Sequence, residues 1–84
     1  MTQWDKLLHK VLMLSSDIRF HDLERVLESY GYVMKIPKGG SSHCVFRKTG
    51  CSPITIPRHR IIKKVYIEMV RDIVLREELK DENT

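Results

Sequence analysis

Ser42-His43-Cys44-Val45-Phe46-Arg47-Lys48 is the stretch that decides the fold. Cys44 and Phe46 fall on one face of an extended chain, and His43, Val45 and Arg47 on the other. Such period-2 spacing marks a strand with one face turned to a core. The same period occurs on both sides of it. Upstream, Tyr32, Met34 and Ile36 alternate with Val33 and Lys35. Downstream, Ile54-Thr55-Ile56 forms a short third strand ended by Pro57. Pro37-Lys38-Gly39-Gly40 and Thr49-Gly50-Cys51-Ser52-Pro53 supply the turns. Short turns between consecutive strands favour an antiparallel meander.

Beyond the strands the apolar spacing changes to threes and fours, the helical period. Trp4, Leu7, Leu8, Val11 and Leu12 predict a helix over Gln3 to Leu14, interrupted at Ser15-Ser16-Asp17. Leu23, Val26, Leu27 and Tyr30 predict a second helix from Phe20 to Tyr30, closed by Gly31. A long third helix is expected from Ile62 to Leu79, with Tyr66, Met69, Val70, Ile73 and Val74 facing the core. Glu77 to Thr84 is polar and expected to fray. The result is one α+β domain whose helices cover one face of a three-stranded antiparallel sheet. Met34, Ile36, Cys44, Phe46, Ile54 and Ile56 are expected on the covered face, and Lys35, His43, Arg47 and Thr55 on the open one.

The charge is segregated. From Tyr32 to Ile67 there are eight bases and no acid, so the net charge of +4 divides into +8 inside this window and −4 outside it. The bases are Lys35, Lys38, Arg47, Lys48, Arg58, Arg60, Lys63 and Lys64. A polyanion suits such a surface, because every neutralised phosphate releases a counterion. Arg58, Arg60, Lys63 and Lys64 bracket the start of the third helix, where backbone N–H groups also favour anions.

Other classes receive no support. Two cysteines make no disulfide framework, and reduced thiols in a cytoplasmic protein are expected. No Cys/His spacing suggests zinc, so no metal or cofactor is expected. No apolar run approaches the roughly 20 residues of a membrane span, and no signal-peptide pattern opens the chain.

One histidine lies within the basic window on the expected open face. RNA is cleaved without a metal when a base takes the 2′-hydroxyl proton, an acid protonates the departing 5′-oxygen, and cations stabilise the phosphorane. Histidine suits both proton transfers because its ordinary pKa lies near neutrality. His43 is therefore the catalytic candidate, with Arg47 expected beside it. The residues alone leave open a plain exposed strand histidine, or one bonded to the Gly39-Gly40 turn. His59, between Arg58 and Arg60, reads as a phosphate contact. His9 and His21 read as solvated helix residues. Lys35, Arg47, Lys48, Arg58, His59, Arg60, Lys63 and Lys64 make up the expected RNA-binding set.

Three stretches resemble the HicA toxins of prokaryotic toxin–antitoxin systems. They are Ile18-Arg19-Phe20-His21-Asp22-Leu23 through Tyr30-Gly31-Tyr32, then Gly40-Ser41-Ser42-His43-Cys44-Val45-Phe46, then Ile54-Thr55-Ile56-Pro57 with His59 and Lys63 to Val74. The second is similar to the family's Gly-Ser-His-x-x-Phe signature. The resemblance implies a fold like the double-stranded RNA-binding domain, an mRNA-cleaving endoribonuclease with His43 catalytic, and a HicB-type antitoxin as partner. It also divides the single domain into an N-terminal extension helix over 1–17, a core over 18–76 and a polar tail over 77–84. Ser41 stands where the family usually has glycine, and Cys44 where many members have a second histidine. Any separate acid must then come from His59 or a lysine. The competing readings are a non-catalytic RNA-binding module and a protein-interaction domain whose basic face meets an acidic partner.

Overall fold

Helices form where apolar residues recur every three or four positions, and their ends are fixed by local hydrogen bonds. The computed structural model describes residues 2–36 and 42–82, with side chains up to residue 80. The expected turn over Pro37 to Gly40, together with Lys38 and Ser41, lies outside the described residues. Helix α1 is Gln3–Leu12. Thr2 Oγ1 accepts from the Asp5 N–H at 3.0 Å, and the Asp5 carboxylate accepts from the Thr2 N–H at 3.3 Å, a capping box. The helix stops two residues before the expected end, because Leu14 adopts φ +56° and the Ser15 N–H turns back to the Lys10 carbonyl at 2.9 Å.

Helix α2 is Phe20–Ser29. The Asp22 carboxylate accepts from the Arg19 N–H at 3.0 Å at its start. At its end the N–H groups of Gly31 and Tyr32 donate to the carbonyls of Glu28 and Leu27 at 3.0 and 3.1 Å. Gly31 has φ +96°, as this closure requires.

Strands β1 (Val33–Lys35), β2 (His43–Arg47) and β3 (Ile54–Pro57) form one antiparallel sheet in the order β1-β2-β3. Met34 pairs with Phe46 and Phe46 with Ile54, while Cys44 pairs with Ile56. Cys44, Phe46 and Ile56 are completely buried, in one cluster with Leu23, Val26 and Leu27 of α2. Val70 and Val74 of α3 (Lys64–Glu82) belong to the same cluster. Leu7 and Val11 extend the core into α1, which packs on α3. His43, Arg47 and Thr55 remain exposed. The helices therefore cover one sheet face, and the pleat leaves the other to solvent.

The structure corrects three sequence expectations. Ile36 is 52% exposed, because β1 ends at Lys35 and Ile36 has no ladder partner to hold it over the core. Helix α3 runs from Lys64 to Glu82 where Ile62 to Leu79 was expected, so it continues through the polar residues after Leu79, and Ile62 is already buried ahead of it. The deepest stripe of α3 uses Ile67, Val70, Ile73 and Val74, whereas Tyr66 and Met69 are half-buried at its margin. Among the described residues, no helix is long and apolar enough to cross a membrane.

Candidate functional site

The site begins with the register of β2 against β3. His43 stands opposite Pro57, and just beyond it the Arg58 N–H donates to the Ser42 carbonyl at 2.6 Å. This last bond holds the chain leaving β3 against the start of β2. The next residue, His59, is thereby brought beside His43, with ring centroids 6.5 Å apart and planes inclined at 60°. Both histidines are exposed. At that separation the imidazoles are too far apart to hydrogen-bond each other directly.

An open groove of about 300 Å³ adjoins His59, lined by Arg19, Phe20, His21, Arg58, His59 and Arg60. Phe20 anchors it, its ring centroid 6.1 Å from that of buried Phe46. Arg19 and His21 come from the start of α2 and were not among the expected site residues. Arg19 carried a weak signal as a base directly ahead of a helix, but only packing brings it to Arg60. His21 is engaged by Glu24, 3.5 Å from its Nδ1. Burial pushes the Cys44 thiol up, with the Arg58 charge acting in the opposite direction.

The expected RNA-binding residues do not form one cluster. Arg58, His59 and Arg60 line one groove, and of these His59 stands beside His43. Lys35 and Arg47 lie along the open face, where they line a second depression with Val33 and Thr49. Arg47 is not a neighbour of His43. Four residues of extended chain put their backbones roughly 13 Å apart, although both sit on one face. Lys63 and Lys64 are exposed at the start of α3.

Compared with protein families, curated proteins and solved structures, the chain matches none.

Lys48 also lines that second depression, but its ammonium is tied to α3. Its Nζ lies 2.9 Å from Glu77 Oε1 on α3 and 5.8 Å from the centre of the Tyr32 ring. Arg76 donates to the Tyr32 hydroxyl at 2.9 Å in the same place. The hydrogen bond from Lys48 holds the Glu77 carboxyl below the ordinary glutamate range, against the effect of burial. The lysine thus serves to fasten the end of β2 to α3. Among the described residues, no group of three or more His, Cys, Asp or Glu side chains is placed to hold a metal ion.

Proposed function

We propose that this chain is a small endoribonuclease toxin of the HicA type that cleaves mRNA, with His43 as general acid–base residue and a HicB-type antitoxin as its protein partner. The order α2, three strands, α3 supports the likeness to a double-stranded RNA-binding domain, with α1 added in front. The observation that carries the reading is the exposure of His43 at the start of β2, beside His59. An imidazole there reaches solvent-borne substrate, and Arg19, Arg58 and Arg60 line the groove at His59 with permanently charged guanidiniums suited to a phosphate.

The chemistry follows from those groups. The arginines grip the backbone phosphates and offset the charge that grows on the phosphorane. His43 moves a proton at the 2′-hydroxyl or at the leaving 5′-oxygen. Binding and cleavage therefore rest on different side chains. The deciding experiment incubates the purified protein and its His43→Ala variant with RNA in EDTA. Cleavage by the wild type and loss in the variant, with RNA still bound, supports the assignment. Binding without cleavage by either protein points to a non-catalytic RNA-binding module.

A further inference from the structure

RNA transesterification needs two proton transfers, and one imidazole cannot be base and acid in the same step. The His43–His59 pair offers two. We propose that His59 is a second catalytic residue, sharing the proton transfers with His43; this inference rests on the ribonuclease reading above. The residues are sixteen positions apart in sequence. The bond from the Arg58 N–H to the Ser42 carbonyl sets them side by side on the exposed rim of the sheet. With 6.5 Å between ring centroids, a phosphodiester entering the rim can present its 2′-hydroxyl to one ring and its 5′-oxygen to the other. Each contact then needs only an ordinary hydrogen-bond distance of about 2.6–3.2 Å.

The neighbouring groups are poorer proton carriers. Arg19, Arg58 and Arg60 line the groove, but a guanidinium does not give up its proton at working pH. His21 also lines the groove, yet its Nδ1 faces Glu24. His59 is therefore the groove histidine in ring contact with His43.

Protons and bonds balance in this step. The neutral ring accepts the 2′-hydroxyl proton while O2′ bonds to phosphorus. The protonated ring gives its proton to O5′ while the P–O5′ bond breaks. A 2′,3′-cyclic phosphate and a 5′-hydroxyl result, and one proton has passed from one ring to the other through the substrate. No redox partner is involved.

The test compares wild type, His43→Ala, His59→Ala and His59→Gln on two oligoribonucleotides. They differ in one atom: the cleaved linkage carries either its natural 5′-oxygen or a bridging 5′-sulfur, which departs without a proton. On natural RNA, each histidine variant should lose about 10²–10⁴-fold in rate while RNA affinity stays within a few fold. On the sulfur substrate, one histidine's variants should recover to near the wild-type rate, and the other's should stay impaired. The recovering position identifies the acid. Wild-type cleavage by both His59 variants would overturn the proposal. So would equal losses on both substrates at both positions, which is the pattern of a structural contact. If His59→Ala loses its circular dichroism signature, His59→Gln decides alone. A wild type that cuts neither substrate would overturn the ribonuclease reading itself, a result distinct from a failure of His59.

Discussion

Lys48 Nζ and Glu77 Oε1 stand 2.9 Å apart and tie the end of β2 to the later turns of α3. Both side chains are largely withdrawn from water, and Arg76 and Lys80 also approach the carboxylate, at 3.5 and 3.9 Å. A carboxylate so placed gains more from its cations than an exposed pair does.

Glu77→Gln should destabilise the fold by about 1–2 kcal/mol at neutral pH, measured by urea unfolding. The pH dependence has a defined sign. A carboxyl whose folded pKa is depressed stabilises the protein above its unfolded pKa, and that contribution fades as pH falls through the folded value. The gap between wild type and variant should therefore be full above the ordinary glutamate range and close in more acidic solution. A gap that widens on acidification would contradict the pair.

Phe46→Ala should cost about 3–5 kcal/mol, since the ring is completely buried and meets Phe20. A denaturation midpoint unchanged from the wild type would mean that Phe46 lies on the open face.

Salt dependence of RNA binding should separate two kinds of lysine and arginine. Arg58→Ala or Arg60→Ala should weaken binding and lower the salt slope by about one for each phosphate that is no longer neutralised. Lys48→Ala should leave that slope unchanged and instead reduce stability, because its charge is directed to Glu77. Salt-insensitive binding by the wild type would favour an acidic protein as the partner of this face.

His43→Ala should keep the fold and most RNA affinity while cleavage falls by roughly 10²–10⁴-fold. Wild-type cleavage should persist in EDTA. Expression of the chain by itself should arrest growth for the wild type and not for the variant. An unchanged rate in the variant would remove His43 from the chemistry.

The two thiols should react at different rates. Cys44 is completely buried and its thiol is pushed up by that burial, so little thiolate forms. Cys51 is half-exposed. A thiol reagent under native conditions should modify Cys51 first and Cys44 only on unfolding, as mass spectrometry of time points would show. Faster labelling at Cys44 would place it outside the core.

Much of the architecture is carried by local spacing. Alternation from His43 to Arg47 placed Cys44 and Phe46 inside and His43 outside, because a pleated chain sends successive side chains to opposite faces. Gly31 announced the end of α2, because its φ is one that other residues avoid. The exposed histidine on a basic face was therefore legible without coordinates.

Tertiary structure decided which residues meet. His43 and His59 share a rim because β3 returns antiparallel to β2, and sequence distance carries no measure of that return. Arg19 joins Arg58 and Arg60 only because α2 packs across the same end of the sheet. Lys48 appeared as one more base in an acid-free stretch, but its partner lies 29 residues away on a helix that crosses behind the sheet. Ile36 fitted the alternation and still faces water, because period sets the side of a strand while the ladder sets how far it runs. Faces follow from the bond geometry of neighbouring residues, which the sequence carries directly. Contacts follow from how whole elements pack, which depends on every other element at once.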